Sequence, residues 1–99
     1  MLLKQHLWSA VINNNIGVID TLMKEKFPVN EPLNSLGMTA LHFAATNQNY
    51  NVIHRLLQWQ ANPNLADTMG RTPLHIAAGS GNHNAIHFLL QVPGIQVDA

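Results

Sequence analysis

At 99 residues the chain is one domain's worth, and five Lys+Arg against five Asp+Glu give it a formal net charge of zero. Charged residues are only 10% of it, against about 25% in an average globular domain. This argues against nucleic acid and against an anionic membrane as partners, because both need a basic surface. There is no cysteine, which excludes disulfides, a thiolate nucleophile and a Cys-based zinc site.

An apolar share of 46% predicts a folded chain, with twelve Asn and six His supplying polar surface in place of charge. No apolar run approaches the roughly 20 residues that span a bilayer. The start has no h-region behind it and no Asn-x-Ser/Thr sequon occurs, so an intracellular protein, cytoplasmic or nuclear, is expected.

The apolar pattern predicts six helices. The first two lie near 5–13, with Leu7 and Ala10, and near 17–25, with Val18, Ile19, Leu22 and Met23. Pro28 and Pro32 then forbid helix across 27–38, which should project as a hairpin-like loop. Thr39 opens a third helix over 40–47. A fourth, 51–59, carries Val52, Ile53, Leu56 and Leu57 at i, i+1, i+4 and i+5, an apolar stripe. A second loop, 61–72, contains Pro63. Thr72-Pro73 then starts a fifth helix over 73–80, with the Thr hydroxyl free to cap and Pro losing no bond at the first helical position. Gly81 suits a left-handed turn before the sixth helix, 84–91, and Gln48 and Asn14 hold the same place upstream. Helices this short do not persist alone, so they must stack.

Self-comparison explains the alternation. Gly37-Met38-Thr39-Ala40-Leu41-His42-Phe43-Ala44-Ala45 recurs 33 residues later as Gly70-Arg71-Thr72-Pro73-Leu74-His75-Ile76-Ala77-Ala78. Val52-Ile53-His54 with Leu56-Leu57 recurs as Ala85-Ile86-His87 with Leu89-Leu90. A weaker copy upstream places Leu7, Ala10, Val18-Ile19 and Leu22-Met23 at offset 34. A third repeat end is read at Gly94-Ile95-Gln96-Val97-Asp98-Ala99, with one insertion near Pro93.

These segments resemble the ankyrin repeat: Gly-x-Thr-Pro-Leu-His-x-Ala-Ala, a middle glycine, a Val-Val-x-x-Leu-Leu stretch and a closing Val-Asn-like turn. The resemblance covers almost the whole chain, with a degenerate first copy and a truncated last one. It implies an all-α solenoid, one domain over 1–99 with repeats at about 1–33, 34–66 and 67–99, each a helix-turn-helix with a projecting hairpin. It also implies a non-enzymatic module that binds another protein. The family's contact positions fall on Ile12 and Asn13 in the first repeat. In the second they are Ser35, Leu36, Met38, Thr46 and Asn47. In the third they are Ala66, Thr68, Met69, Arg71, Gly79 and Ser80. These form one concave strip, apolar through Leu36, Met38 and Met69, with Arg71 its one charge. In the same family His42 and His75 bond loop backbone, and Phe43 and Ile76 are half-buried core. Asn30 and Asn64 hold the turn asparagine, a loop-bonding residue that is sometimes hydroxylated; Leu56, eight residues before Asn64, fits that pattern. The run from Leu41 to Gln48 resembles NF-κB-inhibitor-like proteins, a subtype of the same role.

Other readings stand beside this one. Ile86, Phe88, Leu89 and Leu90 should present an uncapped apolar end, which points to a segment of a longer array or to self-association through the ends. At the front, Trp8 replaces the motif's His, as in an N-terminal cap. His83 and His87 lie at metal-ligand spacing, and His54 could stack beside them, but Asn84 stands where a metalloprotease has its Glu, and surface imidazoles are the plainer reading. Trp59 either covers a neighbouring helix or anchors a partner. No Ser/His/Asp order, paired carboxylate or phosphate loop is present, so no catalytic residue, cofactor or metal is assigned.

Overall fold

Several of the helices begin where a polar side chain meets a free amide. In a computed structural model that describes residues 2–46 and 50–95 (Leu2 and Leu3 by backbone only), six helices follow in order. They are α1 (Leu2–Ile12), α2 (Ile16–Lys24), α3 (Ala40–Ala44), α4 (Tyr50–Gln58), α5 (Pro73–Gly79) and α6 (His83–Leu90). There is no strand among the described residues. The predicted helices are all present, with shifted ends. α2 and α6 start one residue early because asparagines cap them. Asn15 Oδ1 accepts from the Val18 amide at 3.3 Å, and Asn82 Oδ1 from the Ala85 amide at 3.2 Å. α3 ends at Ala44, three residues short of expectation, where Ala45 and Thr46 leave in a turn.

The left-handed turns fall where expected at Gly81 (φ 66°) and Asn14 (φ 57°). Gln48, assigned the same role, lies outside the described residues, as do Gln96, Val97, Asp98 and Ala99 of the third repeat end.

Within each repeat the two helices pack together. Along the array α1 packs on α3 and α3 on α5, while α2 packs on α4 and α4 on α6. Two helical layers result, with a continuous core between them. Leu7, Val11, Ile19, Leu41, Val52, Ile53, Leu56 and Leu89 are fully buried in it, and Ala44 and Ala77 let the first-layer helices approach closely. Phe43 and Ile76 pack half-buried against this core, as expected. Ala45 is covered but its counterpart Ala78 is exposed.

The apolar end needs correction. Leu89 is fully buried, and Ile86 and Phe88 are half-buried against the core. The reason is that α6 packs on α4, where the Phe88 ring stacks on Tyr50 at 4.9 Å and 16°. Of the four residues only Leu90 is exposed, at 49%.

Trp59 covers its neighbour. Its indole N–H donates to Asp20 Oδ1 at 2.8 Å, and Arg55 Nη1 lies 3.3 Å from Asp20 Oδ2, tying the end of α4 to α2. Trp59→Phe should therefore lower stability by about 1 kcal/mol, read from the urea midpoint.

Candidate interaction surface

The loops after α2 and α4 become hairpins through one repeated device. In the first hairpin (residues 27–38) Asn34 Oδ1 accepts from the Leu36 and Met38 amides, each at 3.1 Å. In the second (61–72) Asp67 Oδ1 accepts from the Met69 and Arg71 amides, each at 2.9 Å. Both are Asx-type turns closed by a glycine at positive φ, Gly37 (74°) and Gly70 (76°). The turns lift Ser35-Leu36 and Thr68-Met69 to the tips, all four exposed.

The hairpins are then fastened side by side. The Thr68 amide donates to the Leu36 carbonyl at 2.8 Å. A Cβ on Gly37 would lie 3.4 Å from both the Thr68 amide nitrogen and its Cγ2, so the glycine also permits the approach. Farther down, Asn30 Oδ1 accepts from the Asn62 amide at 2.8 Å, and Asn64 Nδ2 donates to the Gly94 carbonyl at 3.0 Å. The turn asparagines thus bond loop backbone.

His42 supplies the deepest fastening. Its ring is fully buried, and Nε2 lies 2.8 Å from the Arg71 carbonyl of the second hairpin. Its Nδ1 accepts from the Thr39 amide at 3.0 Å. Thr72 and His75 repeat that contact at 3.1 Å. The threonines were expected to cap through their hydroxyls. Thr72 does so, Oγ1 accepting from the His75 amide at 3.4 Å, and the Thr-amide-to-ring contact completes a capping box at both threonines.

The surface residues named from the sequence are exposed in the array, with two exceptions. Ile12, Asn13, Ser35, Leu36, Thr46, Ala66, Thr68, Met69, Arg71, Gly79 and Ser80 are all exposed, while Met38 is half-buried. Asn47 lies outside the described residues. The largest apolar exposures among them are Met69 at 72%, Leu36 at 47% and Ile12 at 43%. Leu36 and Thr68-Met69 are brought together by the hairpin pairing. Ile12-Asn13, Thr46 and Gly79-Ser80 stand at the ends of α1, α3 and α5, one group per repeat.

The sequence reading missed what happens to Arg71. Its Nε donates to Asp67 Oδ2 at 3.0 Å, and the Asp67 side chain is wholly buried. Burial pushes that carboxyl up. The Arg71 and Met69 amides and the Arg71 guanidinium more than offset it and hold it below its ordinary value of 3.8. The one cation of the surface therefore has an anion behind it. The signal was present as Asp67 four residues before Arg71, but its meaning depends on the turn.

The histidine cluster does not assemble. His87 Nε2 accepts from Gln91 Nε2 at 2.8 Å, and the His54 ring lies 6.2 Å from Phe88. Among the described residues no group of three or more His, Cys, Asp or Glu is placed to hold a metal ion. Two open clefts occur at the first repeat, of about 300 and 500 Å³. One is bordered by His6, Ser9 and Asn13, and the other is crossed by the Lys4–Glu31 pair.

A family model for ankyrin repeats matches residues 6–99 in three copies. The chain belongs to the ankyrin-repeat family. No curated protein matches it by sequence. Ankyrin repeats are protein–protein interaction modules, and the hairpin fastenings above are the means by which this array holds its tips in place. No helix among the described residues is long and apolar enough to cross a membrane.

Proposed function

We propose that the array, in the repeat frame 1–33, 34–66 and 67–99, binds another protein without catalysis. The contact surface is one strip formed by the hairpin tips and the ends of α1, α3 and α5. The observation that carries this reading is the exposure of Leu36 and Met69 on paired, rigidly fastened turns. Turns whose backbone is already bonded in place lose little backbone entropy on binding, and Met adapts to irregular apolar surfaces. With Arg71 screened by Asp67, the strip suits an apolar or aromatic partner surface better than an acidic peptide. The combined Leu36→Asp and Met69→Asp variant tests this. Both side chains are exposed, so the variant should keep its helical circular dichroism and its thermal midpoint. It should lose the protein that immobilised wild-type chain retains from a cell lysate. Undiminished retention of that protein by the folded variant would overturn the proposal.

A second reading rests on Leu90, exposed on α6 one turn after half-buried Ile86. Here the apolar end of α6 packs on further repeats or on another copy. Light scattering across concentration then shows a species above 10.9 kDa that Leu90→Glu returns to monomer. A monomer at every concentration would count against self-association.

A further inference from the structure

The junction between the second and third repeats has two halves. On the rear of the second repeat, Ala45 is fully buried and its carbonyl accepts from Asn82 Nδ2 at 2.9 Å, while the Tyr50 ring meets Phe88. On the front of the third repeat, Asn82 and Ala85 are fully buried, and Asn82 Oδ1 caps α6.

Both halves recur uncovered, at opposite ends of the array. At the rear of the third repeat, Ala78 stands where Val11 and Ala45 are fully buried, yet it is exposed. Leu90 stands where Met23 is buried and Leu57 half-buried, and it too is exposed. The Ala78 carbonyl receives the Gly81 amide at 3.3 Å and keeps a second lone pair. At the front of the first repeat, Val18 stands where Val52 and Ala85 are fully buried, but it is 36% exposed. Asn15 caps α2 through Oδ1 as Asn82 caps α6, and among the described residues its Nδ2 has no acceptor. The cleft of about 300 Å³ bordered by Asn15 and Val18 opens on this same face.

We propose that the chain associates head to tail: the rear of the third repeat of one copy seats on the front of the first repeat of the next. Asn15 Nδ2 of one copy donates to the Ala78 carbonyl of the other, as Asn82 donates to Ala45 within the chain, and Val18 and Leu90 become covered. The inference deepens the second reading above and rests on it, adding the occupant, a second copy, and the face that copy uses. Charge does not oppose the contact. Helices α5 and α6 contain no Lys, Arg, Asp or Glu, so covering the rear face strips water from no permanent charge there. A front fits a rear and not another front, so the contact is heterologous and leaves a free front and a free rear after each addition.

Light scattering on the full chain between about 10 μM and 1 mM, the range of weak contacts, should show a mean mass that passes twice 10.9 kDa. Val18→Glu blocks every front and Leu90→Glu every rear. Both side chains are exposed, so each variant should keep its helical circular dichroism, and each alone should stay monomeric. Mixed in equal amounts they should form a complex that stops at two chains, because the intact rear of one meets the intact front of the other. A Val18→Glu variant that still associates while Leu90→Glu does not would mean rear-to-rear contact. That result overturns the head-to-tail arrangement and leaves the second reading standing. A mixture that stays monomeric although wild type associates overturns the arrangement as well. Wild type monomeric throughout overturns both the arrangement and self-association. Asn15→Asp keeps the cap but turns the donor into an acceptor, and should weaken association about tenfold or more. Unchanged association of that variant would refute the bond to Ala78 and the register with it. Should Val18→Glu not fold, Asn15→Asp decides alone.

Discussion

Replacing Asn82 by Ala should cost about 2–4 kcal/mol, a large part of the 5–15 kcal/mol that holds a small domain together. Asn82 is fully buried and works in two directions. Its Oδ1 caps α6 through the Ala85 amide, and its Nδ2 donates to the Ala45 carbonyl at 2.9 Å, just beyond the end of α3. Losing the cap costs about 1 kcal/mol. Leaving the Ala45 carbonyl buried without a donor costs a further 1–3 kcal/mol, roughly. Asn82→Ser separates the two effects. Serine still caps, but its hydroxyl is too short to reach across the repeat boundary. It should recover about 1 kcal/mol of the loss and no more. Urea unfolding of the three proteins gives both numbers. Equal stability of the Ala variant and wild type would mean that the bond across repeats contributes nothing.

Asn82 also shows where reading the sequence stops. The offset of 33 exposed the repeat, and Thr72-Pro73, Gly81 and the Val52–Leu57 stripe placed the helices to within a few residues. These signals are local, because cap, turn and amphipathic face are each decided within about one helical turn. What joins the repeats was legible only in part: the family resemblance implied that His42 bonds loop backbone, but not which carbonyl it meets. Asn82 to Ala45, Trp59 to Asp20 and His42 to Arg71 span 37, 39 and 29 positions. Their meaning depends on how one unit sits on the next. The surface followed the same division. Repeat position alone placed Leu36 and Met69 on exposed tips. The half-burial of Met38 and the carboxylate behind Arg71 came only with the folded turns. Leu89 was misread for a related reason: the stripe on α6 marks an apolar face, and packing on α4 decides how much of it is covered.

The Asp67 carboxylate gives the second large effect, and the chain contains its own control. Asp67→Ala removes acceptors from two amides and a guanidinium at a buried position, and should lower stability by about 1–3 kcal/mol. Asp67→Asn should cost about half as much, because Asn34 already holds the first hairpin with the same two amide bonds and no charge. The two variants must also differ from wild type in acid. The folded-state value of Asp67 lies below 3.8, so its ionised form stabilises the fold above that pH, and the contribution is lost as pH falls through the folded-state value. Asp67→Asn removes this component, and its stability should fall less steeply below pH 3.8 than that of wild type. Higher up the pH scale it has the opposite consequence. The Asp67 charge favours the protonated form of His42, so removing it should move protonation of His42 to lower pH. Urea midpoints recorded from pH 7 to pH 3 test both. If Asp67→Asn matches wild type throughout, the carboxylate is not what closes the second hairpin.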